Sequence, residues 1–185
     1  MPLSRYKVAP MGFLREGFSA LSEANAIVIS RVDQVGPKRV MALKGLIEKY
    51  VSPLTPFAEI RYVPLGLYNG HYGKTHEVDQ IKGLRVVAAA GLASPESFFT
   101  SLESLGAVIV ERMIYPDHHR YTTEDLKALI ASMKKKDAVI VSTEKDIMKM
   151  KKVSNDSSIF FLKIQVEFVS GESEIKAAIK RVLVE

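Results

Sequence analysis

The stretch LRVVAAAGLASPESFFTSLESLGAVIVE, residues 84–111, decides the fold. Leu84 to Ala90 is a short apolar run and reads as a strand. Gly91 to Pro95 breaks it, with Ser94 suited to a helix N-cap and Pro95 to the first helical position. The helix should run to about Leu105, where Gly106 closes it, and Ala107 to Glu111 should be the next strand. A strand, a short helix and a strand in succession imply parallel pairing.

The same alternation continues towards the C-terminus. A loop over 115–120 leads to Thr122, which should cap a helix with Asp125 three residues on. That helix ends in Lys134, Lys135 and Lys136, favourable at the negative end of a helix dipole. Ala138 to Ser142 reads as a strand, Thr143 to Asp146 as a loop, and Ile147 to Lys152 as a short helix. Ile159 to Val166 and Glu172 to Leu183 are the last strand and helix. On the N-terminal side, Ala26 to Ser30 is a buried strand, Lys38 to Val51 a helix stopped by Pro53 and Pro56, and Phe57 to Val63 a strand. Residues 64–83 read as a long Gly-rich loop and residues 1–15 as a lead-in. The pattern predicts one α/β domain over 1–185, a mostly parallel sheet flanked by helices. Ligands of such sheets sit beyond the carboxyl ends of the strands, here the loops at 30–36, 91–95, 113–120 and 142–146.

The composition, 47% hydrophobic and 25% charged, is that of a globular protein, and the lack of cysteine excludes a disulfide framework, thiolate zinc and a cysteine nucleophile. The net charge is +5, and seven lysines between Lys134 and Lys152 face only Asp137, Glu144 and Asp146. Such a patch can attract phosphates or an anionic membrane surface, or can simply be a solvated helix face. With no apolar run near the ~18 residues of a spanning helix and no secretory signal at the start, the expected location is cytosolic, free or at a membrane surface.

Gly73-Lys74-Thr75 is similar to the end of a phosphate-binding loop, but Tyr68 stands where its first glycine belongs and a strand follows in place of a helix. Four other segments carry chemistry. Asp117 and His118, in Pro116-Asp117-His118-His119, can serve as an orienting acid and a proton-transfer base, or form an exposed polar turn. Thr143, Lys145 and Asp146 follow a strand where an Asp can accept from a base edge and a Lys stem can cover the base, though the segment also suits a helix cap. Arg15 and Glu16 could clamp phosphate and a hard cation. Ser30-Arg31-Val32-Asp33 is similar to the Asn-Lys-x-Asp base-reading signature of GTP-binding proteins but lacks its Asn, and it better suits a strand-end cap.

Taken in order, five segments resemble the tetraacyldisaccharide 4′-kinase family. They are 9–16 (APMGFLRE), 24–29 (ANAIVI), 89–99 (AAGLASPESFF), 116–122 (PDHHRYT) and 142–146 (STEKD). Gly17 stands where the family has a proline. The resemblance implies the C-terminal half of a P-loop-type, Rossmann-like kinase that uses ATP and Mg²⁺ to phosphorylate the 4′-hydroxyl of a lipid A disaccharide precursor at the inner membrane's cytoplasmic face. It puts Asp117 and His118 near the reacting groups, Arg15 and Glu16 near phosphate and metal, and Thr143, Lys145 and Asp146 near the base. The family's N-terminal phosphate-binding loop has no counterpart here, so little activity is expected without a separate N-terminal kinase half. The other expectation is a non-catalytic module that binds nucleotide or lipid.

Overall fold

The computed structural model describes Leu14, residues 16–153 and residues 158–184. In chain order the elements are β1 (Ile27–Ser30), α1 (Pro37–Ile47), β2 (Phe57–Asn69), β3 (Lys74–His76), β4 (Arg85–Ala90), α2 (Glu96–Ser104), β5 (Val108–Ile114), α3 (Thr123–Lys136), β6 (Val139–Ser142), α4 (Glu144–Met150), β7 (Ile159–Ser170) and α5 (Glu172–Val184). The strands form a mixed, mostly parallel sheet flanked by helices, the α/β class expected. The chain divides into two compact units, residues 63–165 and residues 1–62 with 166–185. The strands β2 and β7 carry residues of both units.

In the unit of residues 63–165 the strand order is β3, β2, β7, β6, β4, β5. The β4 strand pairs in parallel with both β5 and β6. Its side chains alternate between two cores. Val86, Ala88 and Ala90 pack with Phe98, Phe99 and Leu102 of α2. Val87 and Ala89 pack with Leu126 and Leu129 of α3 and Ile147 and Met150 of α4. All five β4 residues are fully buried, which explains why this strand reads as a continuous apolar run. Thr122 caps α3 as expected, in a reciprocal capping box with Asp125.

Residues 64–83 are not a loop. They complete β2, turn, return antiparallel as β3 and end in a 3-10 turn, Val78–Ile81. The glycines that suggested a loop serve the hairpin. Gly66 has φ +120°, and a Cβ there would run into the His76 carbonyl. Gly73-Lys74-Thr75 lies where the hairpin turn enters β3, with no α-helix N-terminus after it. The strands β5 and β7 extend beyond their expected ends, to Ile114 and Ser170.

In the other unit β1 pairs in parallel with β2, from Ile27 opposite Phe57 to Ser30 opposite Ile60. Ile27, Ile29 and Ile47 of α1 form its core with Phe18, Leu21, Leu43 and Phe57. Among the described residues no helix is long and apolar enough to cross a membrane. Phe99, fully buried between α2 and β4, is the test of the first core. Replacing it with alanine should cost about 3–5 kcal/mol, measured as a fall in the urea midpoint at unchanged slope.

Candidate active site

Because β4, β5 and β6 run parallel, the segments that follow them leave the sheet along one edge. They begin at Gly91, Tyr115 and Thr143. Thr143 is the N-cap of α4, its Oγ1 accepting the Asp146 amide at 3.1 Å. The Asp146 side chain is fully buried. Its Oδ2 accepts the Gly91 amide at 2.9 Å and the Thr143 hydroxyl at 2.7 Å, and its Oδ1 accepts Lys149 Nζ at 3.2 Å. A carboxylate without solvent persists because donors replace the water it lost.

Asp117 sits on the segment after β5. Its Oδ1 accepts the His118 amide at 2.9 Å and lies 3.5 Å from Lys145 Nζ, while Oδ2 lies 3.8 Å from His118 Nε2. Desolvation pushes the Asp117 carboxyl up, but the His118 amide and the charges of His118 and Lys145 outweigh it and hold it below its usual value. His118 has the left-handed φ of 60°, uncommon for a residue with a Cβ, and its side chain is 79% exposed. The adjacent His119 turns inward. Its Nε2 lies 2.9 Å from Asp125 Oδ2, and its ring stacks on Tyr115 and meets Tyr121 edge-on, with centroids 4.8 and 5.0 Å away. Burial, then the Asp125 charge, pushes the Tyr115 hydroxyl up to about 12.

The fold therefore unites Asp117, His118, Thr143 and Lys145 on one edge, as their positions after strands implied. Asp146 is buried, with both of its oxygens engaged inside the protein. Its segment forms the helix cap that the sequence also suits. Thr143 to Asp146 open α4 and do not form a separate loop. Glu16 is exposed and belongs to the other unit, and Arg15 lies outside the described residues. Much of the lysine-rich segment is engaged: Lys149 binds Asp146, Lys145 faces Asp117, and Lys151 donates to the Gly70 carbonyl at 2.6 Å. The sequence reading missed Gly91, Tyr121 and the hairpin residue Tyr72, whose hydroxyl is pushed up by its hydrogen bond with Glu144 and by desolvation. The signal for Tyr121 was an aromatic residue immediately before a helix cap. Among the described residues no three His, Asp or Glu side chains converge as metal ligands.

The class this defines is an α/β protein whose polar segments meet at the carboxyl edge of parallel strands, with a P-loop-kinase-like fold. A solved structure, LpxK from Aquifex aeolicus in complex with ATP, shares the fold with a TM-score of 0.64 and 21% identity, over 95% of this chain and 48% of that one. The chain belongs to the tetraacyldisaccharide-1-P 4′-kinase family, whose model matches residues 1–184. Similar relatives include tetraacyldisaccharide 4′-kinases from Anaeromyxobacter sp. (strain Fw109-5), 30% identical over 98% of this chain and 49% of the relative, and from Desulfatibacillum aliphaticivorans, 32% identical over 92% and 46%. The chain spans about half the length of the curated relatives it matches.

Asp125 provides a test of the local electrostatics. Desolvation pushes its carboxyl up, but the His119 ring and the Thr122 amide and hydroxyl outweigh this and lower it. The folded protein thus binds this proton more weakly than the unfolded chain. The stability it contributes should be complete above the unfolded value of about 4 and vanish as pH falls through the folded value. Asp125→Asn should be less stable than wild type at pH 7, with the gap narrowing at pH 3, in urea titrations at both pH values.

Proposed function

We propose that this chain is the C-terminal half of an ATP-dependent lipid kinase that transfers the γ-phosphate to the 4′-hydroxyl of a lipid A disaccharide-1-phosphate precursor. The observation that carries the reading is the pair Asp117–Lys145, 3.5 Å apart at the strand edge of a chain matched end to end by this kinase family. In the transfer a bond forms between the 4′-oxygen and the γ-phosphorus, the bond from the γ-phosphorus to the β–γ bridging oxygen breaks, and ADP leaves. Such reactions depend chiefly on positioning and on charge placed against the phosphoryl oxygens.

Asp117, held ionised, accepts a hydrogen bond from the acceptor hydroxyl and orients it. The exposed His118 ring stands beside it to take the proton. Lys145 supplies positive charge to the phosphates, and Thr143 sets the start of α4 on the nucleotide side. The resemblance gives Arg15 and Glu16 a place in the phosphate surroundings. By the same resemblance Glu16 is the residue of this chain that would face Mg²⁺, which would neutralise charge on the phosphates. Work at the inner membrane's cytoplasmic face would bring the chain to its lipid substrate.

The test is ATP γ-phosphate transfer to the disaccharide precursor, with Mg²⁺ and detergent, by the chain alone and with the N-terminal half of a family member. Transfer is expected only from the mixture. Asp117→Asn and His118→Ala should each lower kcat by roughly 10²–10⁴-fold. Full activity in either variant would refute its role. Absence of transfer from the mixture, with ATP still bound by the chain, would favour a binding module.

A further inference from the structure

Asp146 can touch a ligand only through an oxygen that is free and accessible, and it has neither. Its side chain has no exposed surface, and its oxygens are met by the Gly91 amide, the Thr143 hydroxyl and the Lys149 ammonium group. These donors come from two different segments. Gly91 follows β4, while Thr143 and Lys149 belong to the cap and last turn of α4. The carboxylate therefore ties the start of α4 to the end of β4.

A third segment closes on the same point. A Cβ added at Gly91 would lie 3.1 Å from Asp146 Oδ1, 3.2 Å from the Tyr121 hydroxyl and 3.3 Å from the Pro116 carbonyl oxygen. Pro116 and Tyr121 bracket the turn that carries Asp117 and His118. Both ends of that turn rest against Gly91, and the space is too small for any other residue without displacement. The Tyr121 hydroxyl is buried and completes no well-formed hydrogen bond, yet it lies within reach of the Asp146 charge. Burial, then that charge, pushes it far up, so it stays a donor.

We infer that Asp146, with Gly91 and Tyr121, forms a positioning device that holds the Asp117 turn against Lys145, and that Asp146 acts on the reaction through these neighbours. Lys145 adjoins Asp146 in the chain, and Pro116 adjoins Asp117. The Lys145–Asp117 distance is thus set by how three strand-end segments meet at one buried carboxylate. The catalytic consequence rests on the kinase reading above, whereas the positioning does not.

The experiment follows the Asp117 carboxyl by ¹³C NMR titration in the full chain, for wild type, Asp146→Asn, Gly91→Ala and Tyr121→Phe, with Leu129→Ala as a control that weakens the same core. In wild type Asp117 should titrate below the ordinary value of about 3.9. Asp146→Asn and Gly91→Ala should raise it by the part that Lys145 supplies as Lys145 moves away, the His118 amide and charge still holding it low, and Leu129→Ala should leave it unchanged. If Asp146→Asn does not fold, Gly91→Ala decides the matter. A folded Asp146→Asn or Gly91→Ala protein whose Asp117 titrates as in wild type overturns the inference, as does an equal rise in the Leu129→Ala control. In the complemented kinase, Asp146→Asn should lower kcat roughly tenfold or more while the KM for ATP stays within about twofold. A raised KM for ATP at unchanged kcat would make Asp146 a nucleotide contact and overturn the positioning role. No transfer by the wild-type mixture, with the NMR result intact, would remove the kinase reading and leave the positioning standing.

Discussion

Parallel pairing of β4 with β5 on one side and β6 on the other is the constraint on which the site depends. Once a strand is hydrogen-bonded along both edges and covered by helices on both faces, its direction is fixed. Each following segment must then leave at the same end. Three segments distant in the chain thereby become neighbours, and their polar groups meet where the packed sheet stops. The alanines of β4 contribute because small side chains let the covering helices approach closely, and their burial is complete.

At that edge the structure separates two kinds of carboxylate by solvent access. Asp146 has exchanged water for protein donors and works as a structural tie. Asp117 keeps contact with solvent, faces one ammonium group and the amide and ring of its neighbour, and stays available to a ligand. The two histidines divide in the same way. The left-handed turn at His118 sends its ring outward, while His119 is held by Asp125 inside a group of tyrosines. Neighbours in the sequence thus differ in role because the backbone reverses between them.

The unit of residues 63–165 contains the strand edge, Asp117, His118 and Lys145, and has two cores of its own. On the proposed function it would supply acceptor-orienting and positively charged groups. A converging set of metal ligands is not among the described residues. Phosphoryl transfer needs both sets of parts in one geometry, which is why the proposed activity is assigned to the chain together with a second half.

The sequence by itself determined the α/β class, the strand–helix alternation from Leu84 onward, the Thr122 cap, and the placing of Asp117, His118 and Lys145 after strands. These follow from local rules: apolar runs, capping residues and breakers act over a few neighbours. The hairpin of 64–83 was not legible, because Gly66 marks a close approach by the His76 carbonyl, and a glycine reads the same in a bulge as in a loop. The burial of Asp146 was not legible either. Its donors include Gly91, 55 residues away in the chain, and whether a carboxylate faces water or a distant amide is decided only when the segments are packed together.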